Sequence, residues 1–152
     1  MSDYLCKGKG KNEIFCNCQF EEFILSDGTS QAVFNPIVLT TETIKVLERN
    51  CLVKVTTMVD LQISAATTGV FGVDYKVERI TGNSVTTLCS FNVSDDRSGE
   101  FTLNPVNTVC DTPPTGIHVY QLSILDNKCI PTSLRLTNNC RCINVTTLKN
   151  MY

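Results

Sequence analysis

The chain has 152 residues, a net charge of −2, 42% hydrophobic residues and only 18% charged ones, which fits a single domain large enough to bury its own core. The basic residues are scattered apart from Lys7, Lys9 and Lys11, a short solvated tail, so neither nucleic acid nor an anionic membrane surface is expected as a partner. No apolar run approaches the roughly 18 residues of a membrane span, and Met1–Gly10 lacks the apolar segment of a secretory signal.

Taken in chain order, the first nineteen residues are polar, contain glycine and show no period, yet they hold Cys6, Cys16 and Cys18. They are expected as a flexible, cysteine-bearing connector arm (1–19), followed by one β-sandwich domain (20–152). From Phe20 onward the apolar period is two rather than 3.6. Asp27-Gly28 is expected to turn a strand over Phe20–Leu25 into one over Gln31–Leu39. Thr41–Arg49 has room for one helical turn, and no longer helix is expected. In Val53–Ile63, the residues Val53, Val55, Val59, Leu61 and Ile63 share one face, with Lys54, Thr56, Asp60 and Gln62 on the other. Phe71, Val73, Tyr75 and Val77 alternate with polar neighbours in the same way.

Gly82-Asn83 suits a tight hairpin between Val70–Ile80 and Ser84–Phe91, and Ser94–Gly99 reads as a polar loop before a short strand at Glu100–Leu103. Pro113-Pro114-Thr115-Gly116 is a rigid turn before Ile117–Leu125, where His118, Tyr120, Leu122 and Ile124 share a face. Strands near Leu134–Leu136 and Cys142–Leu148 bring the expected number to about eight to ten. Alternation of this kind buries one sheet face and wets the other. The fold class is therefore all-β, an antiparallel jelly-roll sandwich with an extended N-terminal arm.

No arrangement suited to catalysis appears. One histidine, no Gly-x-Ser-x-Gly elbow and no His-Glu-x-x-His exclude the common triad and zincin patterns, so no enzyme and no cofactor are expected. Gly8-Lys9-Gly10-Lys11 lacks the spacing of a phosphate-binding loop. Asp95, Asp96 and Glu100 lack that of an EF-hand and read as a solvated loop. Glu21 and Glu22 are neighbours on a strand and face opposite ways. Asn92-Val93-Ser94 and Asn144-Val145-Thr146 match glycosylation acceptors by chance. His118 reads as a satisfied strand residue, and Cys-x-Cys is not the spacing of structural zinc, so no metal site is expected.

Nine cysteines are the strongest signal in the chain. Cys16-Asn17-Cys18 and Cys140-Arg141-Cys142 form two Cys-x-Cys pairs; in an extended strand each pair points both thiols the same way. A disulfide inside such a pair is strained, so each thiol is expected to bond elsewhere. An odd count leaves at least one thiol for an intermolecular bond in an oxidising setting. The alternative is that all nine are buried small hydrophobes or internal staples. The partners of Cys51, Cys89, Cys110 and Cys129 stay open.

Two features carry a resemblance. Asp111–Leu122, with its Thr-Pro-Pro-Thr-Gly turn, resembles the penultimate strand of tumour-necrosis-factor-like jelly rolls in bacterial and phage surface proteins. The cysteine-bearing segment before Phe20, with further cysteines near the last strand, resembles subunits of Bacillus endospore appendages and related exosporium proteins. That resemblance implies a jelly-roll core that stacks into fibres or rings, with an N-terminal connector locked to a neighbouring subunit by disulfides. It implies Cys16 and Cys18, with Cys6 as a third, as connector thiols, and Cys140 and Cys142 as the receiving ones. The implied function is a self-assembling structural protein of the endospore surface: an appendage subunit, or a ring-like anchor or minor subunit. Its partners would be further copies of itself and other spore-surface proteins. Such a protein is made in the mother-cell cytoplasm without a signal peptide and meets oxidant when that cell lyses. The rival readings are a receptor- or glycan-binding module, which the absence of Trp disfavours, and a zinc-stabilised regulatory domain.

Overall fold

The computed structural model describes residues 14–27, 38–47, 49, 51–65, 71–95, 100–126 and 134–148. Among these residues there are thirteen strands and no helix. Four pairs of strands are single long strands folded at a corner. They are β1 (Ile14–Gln19) with β2 (Phe23–Asp27), β5 (Leu52–Val59) with β6 (Leu61–Ala65), β9 (Phe101–Leu103) with β10 (Val106–Asp111), and β12 (Leu134–Asn138) with β13 (Arg141–Leu148). The others are β3 (Val38–Thr40), β4 (Ile44–Val46), β7 (Phe71–Thr81), β8 (Ser84–Asp95) and β11 (Gly116–Asp126).

Pairing orders these strands into two layers. On one side of the corner the order is β1-β13-β5-β10 and on the other β2-β12-β6-β9, so the two ladders are halves of one creased sheet. The second layer is β3-β11-β7-β8, with β4 also paired to β11. With each folded strand, and the β3/β4 segment, counted once, chain order runs 1-8-3-6 in the first layer and 2-7-4-5 in the second. All described pairings are antiparallel. This is the double Greek-key order of a jelly roll, and the expected fold class holds.

The core lies where the period-two pattern put it. Val53, Val55, Val59, Leu61 and Ile63 are all buried, as are Val73, Tyr75 and Val77 opposite them, with Tyr120, Leu122 and Ile124 beside them. Thr57 interrupts the apolar face of β5 without leaving an unmatched hydroxyl, because Tyr75 Oη donates to Thr57 Oγ1 at 2.5 Å. The Tyr75 ring stacks on Phe91 with centroids 4.7 Å apart. The Gly82-Asn83 turn joins β7 to β8 as expected; Gly82 adopts φ 57°, in the left-handed region where glycine carries no Cβ penalty.

Several expectations are corrected. The single strand expected over Val53–Ile63 breaks at Asp60, which turns the chain from one half of the creased sheet into the other. Asp60 Oδ1 accepts the backbone N–H groups of Asn139 and Cys140, each at 2.8 Å, and its own N–H donates to Cys140 O at 2.9 Å. A side chain that satisfies the donors of the neighbouring corner fixes both bends together. The helical turn allowed over Thr41–Arg49 is instead strand β4, whose Ile44 and Val46 are buried while Lys45 is exposed. Strand β3 (the end of the expected Gln31–Leu39 strand) pairs with β11 and β2 pairs with β12; the Asp27-Gly28 turn and the rest of that expected strand, residues 28–37, lie outside the described residues. Finally, residues 14–19 of the arm drawn over 1–19 are strand β1, paired along its whole length with β13, and Phe15 packs against the core; residues 1–13 lie outside the described residues.

Candidate functional site: the sulfur-bearing face of the creased sheet

Along β13, Ile143, Val145 and Thr147 point into the core, so Cys142, Asn144 and Thr146 point out. The same alternation turns Cys16 and Cys18 of β1, Thr56 and Met58 of β5, and Val106, Thr108 and Cys110 of β10 to that outer face. Register then aligns them in rows across four strands. Cys18, Cys142, Met58 and Val106 make one row; Cys16, Asn144, Thr56 and Thr108 make the next, in which the two threonine hydroxyls lie 3.3 Å apart. Lys54, opposite Cys110, is the one charged residue among these outward positions.

Cys18 and Cys142 stand directly opposite each other with Cα atoms 4.2 Å apart, the close approach that antiparallel cross-strand pairs make, and they form a disulfide. The resemblance assigned these two to different subunits; in the single chain they close on each other, tying the edge strand to its neighbour across 124 residues of sequence. Cys16 Sγ lies 3.7 Å from Cys18 Sγ, as two side chains at i and i+2 on one strand face require. Cys140 does not share this face. It sits at the corner before β13, where burial, with Asp60 as a second cause, pushes its thiol above the ordinary range.

The remaining described cysteines are dispersed. Cys51 Sγ lies 3.9 Å from the carbonyls of Leu52 and Leu148, and Cys89 Sγ accepts from Asn107 Nδ2 at 3.4 Å. Cys110 is exposed on edge strand β10. Cys6 and Cys129 lie outside the described residues. Sulfur therefore stands at both lateral edges of the creased sheet: Cys16, Cys18 and Cys142 at the β1 edge, Cys110 at the β10 edge.

A second polar constellation, not anticipated from the sequence, sits between the layers. Arg79 Nη1 of β7 contacts both carboxylate oxygens of Asp111 at 2.7 and 2.8 Å, and Tyr120 Oη donates to Asp111 Oδ2 at 2.8 Å. Arg79 and Asp111 keep only 13% and 8% of their side-chain surface, enough burial to make each charge depend on the other. Burial, reinforced by Asp111, pushes the Tyr120 hydroxyl far above its ordinary value of 10, so it remains a neutral donor. Burial likewise pushes Tyr75 up to about 12. The signal was present in the sequence: Arg79 and Asp111 occupy inward positions of their own strands, with opposite charge.

His118 is fully buried and both its ring nitrogens are engaged. Nε2 donates to Pro114 O at 2.7 Å and Nδ1 lies 2.8 Å from Thr81 Oγ1. Such a ring pins the Pro113-Pro114 turn to the end of the β7 hairpin. Asp95, Glu100, Asn92 and Asn144 are not drawn into a common site. Among the described residues no group of three or more His, Cys, Asp or Glu stands together in a way that could hold a metal ion.

The class defined by fold and site is thus an all-β jelly-roll sandwich with an intrachain disulfide on its outer sheet face. No known family model matches the sequence, and no curated protein does. Among solved structures, the chain is similar to a structure of infectious bursal disease virus, Gx strain, at 11% identity and a TM-score of 0.48. It is also similar to dimeric latent PorU from Porphyromonas gingivalis at 11% identity and 0.48, and to a CBM4 structure at 12% and 0.32. The matches cover 96%, 97% and 95% of this chain, but 34% of the viral chain, 14% of PorU and 94% of the CBM4 chain. The chain thus spans about a third or less of the first two. The fold assignment rests on this chain's own strand order.

Proposed function

We propose that this is a structural, self-assembling protein of the endospore surface that forms disulfide-cross-linked homo-oligomers, as an appendage subunit or as a ring-like anchor or minor subunit. The observation that carries the reading is the placement of sulfur at both edges of the β1-β13-β5-β10 ladder, among whose described outward positions Lys54 is the one charge. A disulfide formed across such an edge turns a reversible strand or face contact into a permanent one. Edge strands already offer unpaired backbone groups to a neighbour. The resemblance of the cysteine-bearing N-terminal segment to endospore appendage and exosporium subunits supports the location and the further partners, other spore-surface proteins. No catalytic role, cofactor or nucleic acid belongs to this reading.

The test is gel electrophoresis of oxidised, boiled protein without reductant, for wild type and for the triple variant Cys6→Ser, Cys16→Ser, Cys18→Ser. Circular dichroism confirms that both are folded. Wild type is expected to give a ladder above the 16.8 kDa monomer that dithiothreitol collapses, and the triple variant to give monomer. A single monomer band for oxidised wild type would contradict the proposal. A ladder that survives the triple substitution would move the cross-links to Cys110, Cys140 or the other cysteines.

A further inference from the structure

Three cysteine sulfurs share the β1 edge of the outer face, and Cys18 stands between the other two. Cys142 is its partner across the strands, with Cα atoms 4.2 Å apart, and the two are bonded. Cys16 lies two residues back on the same strand, its Sγ 3.7 Å from Cys18 Sγ, which is van der Waals contact between sulfur atoms. All three residues are half-buried, so small reagents can reach their sulfurs. The other described cysteines stand elsewhere: Cys140 at the corner, Cys110 at the β10 edge, Cys51 beside Leu148 and Cys89 against Asn107.

In an unfolded chain the ring that joins Cys16 to Cys18 closes more readily than the loop from Cys18 to Cys142, which spans 124 residues, because closure entropy rises with loop length. Strand formation reverses that preference. Extended residues rise about 3.3 Å each, so the Cα atoms of Cys16 and Cys18 move to about 6.6 Å apart, at the far end of what a disulfide spans. The same pairing that extends β1 sets Cys142 opposite Cys18. A disulfide under strain is the more oxidising one and yields more readily to an attacking thiolate.

We propose that Cys16 delivers the Cys18–Cys142 bond: a Cys16–Cys18 disulfide forms first, and Cys142 displaces Cys16 from it once β1 has paired with β13. The sulfur contact at 3.7 Å is then that of a leaving group still beside the atom it left. The precursor is made by a small disulfide of the glutathione class, which takes up two electrons from the thiols of Cys16 and Cys18 and departs as two small thiols. In the transfer, the Cys142 thiolate attacks Cys18 Sγ, the Cys16–Cys18 bond breaks, and Cys16 leaves as a thiolate that takes a proton from solvent. One S–S bond breaks and one forms, so this step needs neither oxidant nor reductant. It lies within one chain and stands apart from the self-assembly reading.

The test starts from full-length chain, reduced and dissolved in urea, and oxidised there with a limiting amount of oxidised glutathione. Small thiols are removed in acid, and chains closed between Cys16 and Cys18 are isolated by chromatography. Dilution into mildly alkaline, oxygen-free native buffer starts the transfer; acid stops it, and the remaining thiols are alkylated in urea. Trypsin cuts after Lys11, Lys45, Arg141 and Lys149, so Cys16 and Cys18 share one peptide and Cys142 has its own, apart from Cys140. Mass spectrometry is expected to show the internally closed 12–45 peptide disappear as the same peptide appears joined to 142–149, with the alkyl group on Cys16. Transfer is expected to be lost when the urea is kept, and lost in Cys142→Ser, which retains the internal pair. Wild type that refolds by circular dichroism but keeps the Cys16–Cys18 bond would overturn the proposal. So would a bond that passes to a cysteine other than Cys142, or a chain in urea that never closes the internal pair.

Discussion

Asp111 is the residue on which the contact between the two layers turns. It accepts from Arg79 and Tyr120 at once, from two different strands of the opposite layer, and little of its surface is left to water. Removal of one member of a buried pair leaves the other charged and unsolvated, which costs more than the pair itself contributes. Asp111→Ala is therefore expected to destabilise the fold by about 3–5 kcal/mol, read from the urea midpoint. Replacing both partners, Arg79→Met with Asp111→Leu, is expected to recover most of that loss, because no isolated charge remains. A single variant within about 1 kcal/mol of wild type would show that water satisfies Arg79 and that the pair does not hold the layers in register. The pair was readable in principle, since each residue follows the inward period of its strand. Attention to the apolar members of those periods hid two charged residues at core positions.

At the scale of elements, the alternation of apolar and polar residues told which face of each strand is buried but not where a strand turns. Val53–Ile63 keeps one period-two pattern of burial across the corner at Asp60, with Thr57 as its one polar member, and both halves bury the same face. Nothing in that period marks the crease. What makes it is a long-range hydrogen-bond set in which Asp60 serves the backbone of Asn139 and Cys140, some 80 residues away. A local pattern cannot show this. Asp60→Ala removes one acceptor from two backbone donors and is expected to cost about 1–3 kcal/mol. The loss should appear as faster amide exchange at Asn139 and Cys140, with the β7–β8 hairpin unchanged. Unaltered exchange at those two amides would mean that the corner is held by the strands alone. The strand over Ile14–Gln19 is hidden in the sequence for a related reason. Strand β1 has polar residues on its inner side, Asn17 among them, so the apolar period that flags a strand is missing even though its backbone is fully paired.

For the molecule as a whole, eight strand segments in two Greek-key layers place both ends of the described chain, β1 and β13, side by side at one lateral edge. Cysteines remote in sequence thereby converge on one patch of surface. The sequence announced the importance of sulfur through nine cysteines and two Cys-x-Cys pairs, yet pairing depends on register, which emerges only when the sheet is assembled. Cys140 and Cys142 illustrate the point: they are two residues apart, but the corner separates them, so one serves the crease and the other the outer face.

The central claim is that this sandwich is a building block and does not act alone. Light scattering of the full-length chain under oxidising, non-denaturing conditions, with negative-stain electron microscopy of the same sample, tests it most directly. The account predicts a discrete ring or a growing fibre of many 16.8 kDa subunits, dispersed to small species by reductant and denaturant together. A monodisperse monomer of that mass under those conditions, with no higher species on the grid, would contradict it.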